Sequence, residues 1–269
     1  MFDRNAYGLL VCWGMIIGYK MQTPRVIILG VCGKLMAGVA KIAVERGHTV
    51  IGYDQHYAPP MSEILMSIQM EKHEYYPETI DLLPQDQVIV GNQLRPSEPI
   101  IQFLIRSRVK LYSAPQWLAE YVLQSRYVIA VTGSHGKTTI TAMIADLLTK
   151  LDQKPGYLIG GVLPSLGSAK LGEGKYFVIE SDEYDAAFFD KRPKFHHYWP
   201  SLLVVSDVEY DHADIFNSLE EIILQFKYLM RLLPKGSPVI STILPKALND
   251  QIKALGHKHI QYGYELLRQ

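Results

Sequence analysis

The chain is expected to be an α/β protein made of two parallel-sheet units in series, and three observations lead there. From Arg25 onward, short β-rich apolar runs alternate with helical stretches, the pattern that builds parallel sheets with crossover helices. Hydrophobic residues make up 48% of the sequence and charged residues 20%, as in a globular protein rather than a disordered one. A length of 269 residues suits roughly two domains of ordinary size.

The first unit reads as strands at RVIILG (Arg25–Gly30), HTVIGYD (His48–Asp54), QVIVG (Gln87–Gly91) and VKLYS (Val109–Ser113). Helical segments fall between and after them, including KLMAGVAKIAVERG (Lys34–Gly47) and PQWLAEYVLQS (Pro115–Ser125). A boundary is expected near Ser125–Tyr127, where a helix gives way to the strand YVIAVTG (Tyr127–Gly133). A loop and a helix to about Leu151 follow, then strands near YFVIE (Tyr176–Glu180) and LLVVSD (Leu202–Asp207). A helix from about Leu219 to Leu233, the strand SPVIST (Ser237–Thr242) and a last helix-strand pair complete the second unit. A nucleotide-binding α/β domain usually carries a few more strands than follow Pro234, so this unit is expected to be cut short.

Ahead of the first strand, YGLLVCWGMIIGY (Tyr7–Tyr19) is apolar and follows Arg4. No small-x-small cleavage site follows it, and it is shorter than the ~20 residues of a membrane span. Residues 1–20 are therefore read as an extension before a natural start at Met21, with no stable membrane insertion. Lys plus Arg and Asp plus Glu both number 27, so no bulk field draws nucleic acid or anionic lipid, and any anion needs a local site. The two cysteines, Cys12 and Cys32, have no metal-ligand spacing and exclude a disulfide framework, which fits a reducing cytoplasm.

Four clusters carry chemistry. In GVCGKLMAG, Gly30, Cys32, Gly33 and Gly38 lie at a strand-to-helix turn, where backbone amides at a helix N-terminus can cradle a pyrophosphate. Asp54 ends the next strand, where an acid can accept a ribose hydroxyl. The spacing G-x-x-G-x-x-x-x-G differs from the dinucleotide fingerprint. That leaves two readings, a tight turn alone or a diphosphate ligand without a nicotinamide, the second preferred. In TGSHGKTT (Thr132–Thr139), Gly133, Ser134 and Gly136 let the backbone wrap a phosphate. Lys137 supplies a cation for the β/γ-phosphates, Thr138 a hydroxyl suited to Mg²⁺, and Thr139 follows. The usual first glycine is absent, Val131 standing in its place inside the strand.

In YFVIESDEYDAAFFDKR, Glu180 ends an apolar strand and Asp182, Glu183 and Asp185 follow. Hard oxygens beside a phosphate loop suggest Mg²⁺, against the alternative of a solvated acidic loop. In VVSDVEYDHADIF, Asp207, Asp211, His212 and Asp214 follow another strand, and a histidine among carboxylates at a strand end is a candidate ligand. His196 and His197 are read as structural or substrate-rim residues.

Taken in order, GVCGKLMAG, GSHGKTT, ESDEYDAAFFDKR and EYDHADIF resemble the Mur ligase family, the ATP-dependent amide-forming enzymes of peptidoglycan assembly. The resemblance implies a Rossmann-like UDP-sugar-binding domain over residues 21–126 and a P-loop-type Mur ligase central domain over 127–269, truncated, with the C-terminal domain absent. FFDKR, YAPPMS and SAPQWL are similar to the branch that joins UDP-N-acetylmuramate to the recycled murein tripeptide L-alanyl-γ-D-glutamyl-meso-diaminopimelate. A member that adds L-alanine is the neighbouring alternative. The implied reaction phosphorylates the lactyl carboxylate with ATP, and the tripeptide amine then attacks the acyl phosphate. Carried over by motif, Gly133, Ser134, Gly136, Lys137, Thr138 and Thr139 bind ATP, Lys137 and His135 serve catalysis, and Thr138, Glu180 and His212 hold Mg²⁺. By the same carry-over Gly30, Cys32, Gly33, Asp54 and Asn92 bind the UDP-sugar.

Two departures stand out. The residue before VEYDH is usually asparagine in the family and is Asp207 here, which adds a charge beside the metals. The family's C-terminal domain closes over ATP and binds the amine, so the chain alone is expected to have little ligase activity. A separately encoded C-terminal domain would then be its partner, or the chain would be a catalytically incompetent remnant that binds UDP-sugar and ATP. An unrelated phosphate-loop kinase or NTPase is disfavoured by the glycine spacing.

Overall fold

The structure, a computed structural model, describes residues 24–210 and 215–262. The extension 1–20, Cys12, Asp211, His212 and Asp214 lie outside the described residues.

The first sheet contains β1 (Val26–Leu29), β2 (Val50–Tyr53), β3 (Glu71–His73), β4 (Gln87–Val90) and β5 (Leu111–Ser113), in the order β3-β2-β1-β4-β5 and parallel throughout. Its two central strands, VIIL and QVIV, are buried along their whole length. Helices cover both faces, which explains why these strands read as continuous apolar runs without alternation. The crossovers include α1 (Lys34–Glu45), α2 (Met61–Met66) and α3 (Pro99–Ser107). A further helix, α4 (Ala114–Leu118), starts where Ser113 accepts the Gln116 amide, and continues as a π-turn over Ala119–Leu123. Its Trp117 is fully buried and donates Nε1–H to Gln87 Oε1 at 2.6 Å, so the indole's one polar atom is satisfied inside the core.

The second sheet starts at β6 (Tyr127–Thr132), followed by α5 (Lys137–Lys150), β7 (Gly156–Leu163), β8 (Gly167–Lys170) and β9 (Tyr176–Glu180). A small hairpin, β10 (Asp185–Ala187) with β11 (Asp190–Pro193), leads to β12 (Leu202–Val205). The order continues with α6 (Leu219–Arg231), β13 (Pro238–Ser241), α7 (Lys246–Ala254) and β14 (Lys258–Gln261). Ser218 caps α6 by accepting the Glu221 amide, with Glu220 and Glu221 in its first turn, as the positive end of a helix favours. The strands run β14-β13-β12-β6-β9-β7-β8.

The expectation of purely parallel sheets needs one correction here. β8 is antiparallel to β7 and closes one edge. Gly156, Gly160, Gly161 and Gly167 fall in this pair, and glycine-rich segments read poorly as strands because glycine gives the pleat nothing to pack.

Helix α1 belongs to the first sheet by connection but also packs on the β7–β8 edge of the second. A Cβ on Gly38 would lie 2.3 Å from Leu158 Cδ1 and 3.2 Å from Ala169 Cβ. Gly38 is therefore not part of a phosphate cradle. It is the point where α1 meets the second sheet, and one apolar cluster runs through Met36, Ala40, Leu158 and Ala169. Polar contacts tie the same junction: Glu45 Oε2 accepts the Leu171 amide at 2.6 Å, and the Arg126 guanidinium donates to the carbonyls of Leu171, Gly172 and Gly174.

No helix among the described residues is long and apolar enough to cross a membrane.

Candidate functional site

In each sheet the chain leaves a central strand, builds to one side, then returns to build the other. Ligands in such folds collect beyond the carboxyl ends of the strands at that reversal. The first sheet puts Gly30 after β1 and Gly91 and Asn92 after β4. The second puts the phosphate loop after β6, and β9 ends on Glu180. These ends border one cavity of about 530 Å³. Gly30, Gly33, Asp54 and Asn92 line it from the first unit, and Thr138, Gly160, Glu180 and Asp182 from the second.

At the first end, Gly30 has φ 79° and Gly33 precedes the first turn of α1, which has no side-chain cap. Asp54 closes this turn, accepting the Cys32 amide on Oδ2 at 2.8 Å and the His56 amide on Oδ1 at 3.1 Å. One lone pair on each oxygen is thus used by the backbone before any ligand arrives. The Cys32 thiol faces Ala58 O at 3.7 Å and does not line the cavity, and burial raises its pKa. Tyr76, also in the wall, has its phenol pushed up by burial and by the Asp54 charge. Asn92 Nδ2 donates to Asp185 Oδ1 at 3.0 Å, a bond between the two units.

At the other end, Gly133 (φ 131°) and Gly136 (φ 76°) take backbone conformations open to glycine. A Cβ on Gly133 would also lie 2.1 Å from Ser206 Oγ. Gly136 precedes α5 and leaves its first amides uncapped, the arrangement that receives a phosphate. The Lys137 ammonium folds back onto the loop, donating to Gly133 O at 2.6 Å and Ser134 O at 3.4 Å, and it lies 3.9 Å from Glu183 Oε2. Thr138 Oγ1 donates to Glu180 Oε1 at 3.1 Å, and Glu180 Oε2 accepts the Gly160 amide at 2.8 Å. Gly160 is a site residue that sequence reasoning missed. It faces Glu180 across the sheet, and no local motif marks it.

His135 stands apart from the cavity. Its side chain is 71% exposed, with Nε2 3.8 Å from Glu209 Oε2, while its amide donates to Asp207 Oδ1 at 2.9 Å. Ser206 Oγ lies 2.5 Å from His135 O and 2.9 Å from Asp207 Oδ1. Ser134 Oγ accepts the Glu209 amide at 2.9 Å, and Thr139 is exposed on α5. The structure thus brings Thr138 and Glu180 together, and keeps His135 at the outer rim of the loop. His212 lies outside the described residues.

Asp182 lines the cavity two residues beyond Glu180 and pairs with Lys194, Nζ to Oδ2 2.9 Å. Burial alone would raise its pKa, but Lys194 and then Lys137 outweigh that and hold it below the usual value. His197 is buried against Asp190, 3.0 Å away, and His196 Nε2 bonds Gln225 O at 3.1 Å. His197 is thus buried, while His196 is half-buried and lines a second cavity.

Comparison with known proteins agrees with the geometry. A Mur ligase middle domain matches residues 131–266, and a Mur ligase family catalytic domain matches residues 25–126. The chain belongs to the Mur ligase family. Within the family it is 43% identical over 231 residues to a Haemophilus influenzae protein, covering 85% of this chain and 51% of that one. It is 44% identical over 218 residues to an Escherichia coli protein, covering 80% and 48%. Both relatives are named UDP-N-acetylmuramate–L-alanyl-γ-D-glutamyl-meso-2,6-diaminoheptandioate ligase. The chain thus spans about half the length of these relatives. A crystal structure of the corresponding ligase from Neisseria meningitides superposes with a TM-score of 0.82 at 36% identity, covering 89% of this chain and 78% of that one.

Proposed function

We propose that the chain carries the sugar-nucleotide and ATP sites of an amide-bond ligase that joins UDP-N-acetylmuramate to L-alanyl-γ-D-glutamyl-meso-diaminopimelate in peptidoglycan recycling. The observation that carries this reading is the single cavity running from the Gly30–Gly33 turn to Thr138 and Glu180. One elongated anionic molecule can lie in it with its diphosphate at the first end and its carboxylate beside a phosphate loop at the second. Residues 21–126 then serve as the sugar-nucleotide unit and 127–269 as the ATP unit.

In this reading the amides of the Gly30–Gly33 turn and the uncapped start of α1 receive the diphosphate. Asp54 keeps the turn in shape through the Cys32 amide and offers its remaining lone pairs to the ligand. The loop Gly133–Thr138 wraps the ATP phosphates, and Lys137 exchanges the Gly133 and Ser134 carbonyls for phosphate oxygens. Transfer to the lactyl carboxylate gives an acyl phosphate, which the tripeptide amine attacks with loss of phosphate. Phosphoryl transfer of this kind needs positioning and charge neutralisation more than a nucleophilic side chain.

Thr138 and Glu180 fit a Mg²⁺ ion, since two hard oxygens already stand 3.1 Å apart at the edge of the cavity. Bound there, Mg²⁺ would withdraw charge from the transferring phosphoryl group.

The test is binding of Mg-ATP and UDP-N-acetylmuramate to the purified chain by calorimetry. Both are expected to bind, and Lys137→Ala should remove Mg-ATP binding while sparing the sugar nucleotide. Failure of UDP-N-acetylmuramate to bind would overturn the reading. Where turnover is measured, faster ADP release with the tripeptide than with L-alanine supports the assigned amine.

A further inference from the structure

Glu180, Asp182 and Tyr184 all line the cavity, while Glu183 and Asp185 line the second cavity. This is the two-residue alternation of extended backbone. It extends the wall of the cavity beyond the Thr138–Glu180 pair, and Lys194 is pinned to that wall. Its amide donates to Tyr184 O at 2.9 Å and the next amide, of Phe195, donates to Asp182 O at 3.3 Å. Its ammonium is held by Asp182 at 2.9 Å, with the side chain 17% exposed.

Lysine is costly to confine in this way, because a flexible four-carbon stem and a strongly hydrated charge must both be ordered. An ammonium has three donors. Asp182 takes one, and the ammonium also lies 5.5 Å from the centre of the Tyr184 ring, so hydrogen-bonding capacity is left for a ligand. Among the described residues that line this cavity, two are cationic, Lys34 and Lys194. Lys34 opens α1 beside the glycine turn. Lys194 stands on the wall that continues from Glu180. An anion carrying both a diphosphate and a carboxylate offers one charged group to each of these two cations.

Resting on the ligase reading above, we propose that Lys194 is the residue that recognises the carboxylate of the sugar nucleotide, with Asp182 holding the ammonium in place. Lys194 then distinguishes a sugar nucleotide that bears a carboxylate from one that lacks it, and presents the carboxylate oxygen to the phosphate loop.

The experiment compares UDP-N-acetylmuramate with UDP-N-acetylglucosamine, which lacks the lactyl carboxylate, by calorimetry on the 269-residue chain. The unsubstituted protein is expected to prefer the first by roughly tenfold, the scale of one charge-assisted hydrogen bond. In Lys194→Gln the preference should fall to within about twofold, on the same scale, with the weaker ligand bound as before. Lys194→Arg should restore part of it, and Lys34→Gln should weaken both ligands together. Retained Mg-ATP binding and an unchanged far-UV spectrum check that the variants are folded.

A Lys194→Gln protein that keeps the preference would overturn the assignment. So would one that loses both sugar nucleotides equally, because the lysine would then only prop the wall. If the unsubstituted protein binds neither sugar nucleotide, the ligase reading falls and takes this assignment with it.

Discussion

The Glu180 carboxylate lies against the Cα of Gly160. A Cβ on that glycine would meet Oε1 at 2.5 Å and the carboxylate carbon at 2.8 Å, while the Gly160 amide donates to Oε2. One residue of β7 thus fixes both the position and the orientation of the group that meets Thr138. Replacing Gly160 by alanine should push Glu180 off its place beside Thr138. The expected result is at least tenfold weaker Mg-dependent ATP binding, together with about 1–3 kcal/mol of lost stability from overpacking. Calorimetry with ATP, with and without Mg²⁺, reads the first effect, and urea denaturation the second. Normal Mg-ATP binding by Gly160→Ala would mean that Glu180 is free to move.

Asp207 bears on the phosphate loop from the other side. Its Oδ1 accepts the His135 amide, so a carboxylate occupies a donor of the loop that is expected to hold ATP. Asparagine in its place keeps the acceptor and removes the charge. Asp207→Asn is expected to tighten Mg-ATP binding by roughly two- to tenfold, with the larger gain at low ionic strength, where charge repulsion is least screened. The comparison is calorimetric at two salt concentrations. Equal affinity in both proteins would show that Asp207 turns away to solvent when nucleotide binds.

Much of this was legible in the sequence for physical reasons. Strands such as VIIL and QVIV are buried on both faces and announce themselves as apolar runs. Gly133, Gly136, Lys137 and Thr138 are contiguous, so one short window contains the whole loop. What stayed hidden depends on contacts distant along the chain. Gly160 matters because of Glu180, and Gly38 because of Leu158. Lys194 lies 12 residues from Asp182, across a hairpin that sequence reasoning did not anticipate. Asp54 ends a strand where a ribose acceptor is expected, and in the fold it accepts two backbone amides as well. Such pairings are set by the return of the chain and leave no local periodicity.

The Gly38–Leu158 contact gives a test of how the two sheets are joined. Gly38 sits inside α1, where alanine would favour the helix by roughly 1 kcal/mol. The added methyl would instead crowd Leu158 Cδ1 and Ala169 Cβ, at a cost of about 1–3 kcal/mol. Gly38→Ala is therefore expected to lower stability by about 1 kcal/mol in net, within the overpacking range. Leu158→Ala alone should cost about 2–5 kcal/mol by leaving a void. In the double variant the new methyl enters that void, so the combined loss should be smaller than the sum of the single losses. Strict additivity in urea denaturation would mean that α1 and β7 do not share this contact.

Acid sensitivity follows from the histidines. Burial lowers the pKa of His48, His196, His197 and His259, although carbonyls of Pro24 and Gln225 oppose it for His48 and His196, and Asp190 for His197. An unfolded histidine titrates near 6.5, so between that value and the depressed folded values the unfolded chain binds more protons. Stability then rises with pH through this window. It is fully present above the unfolded pKa and is lost as pH falls below it. The depressed Asp182 and Asp190 add a second loss below about pH 4. The urea midpoint should accordingly be lower at pH 5.5 than at pH 7.5, and His196→Gln should narrow the gap by removing one of the four groups. A midpoint that stays level or climbs on acidification would show that these imidazoles are protonated in the folded protein and paired with acids.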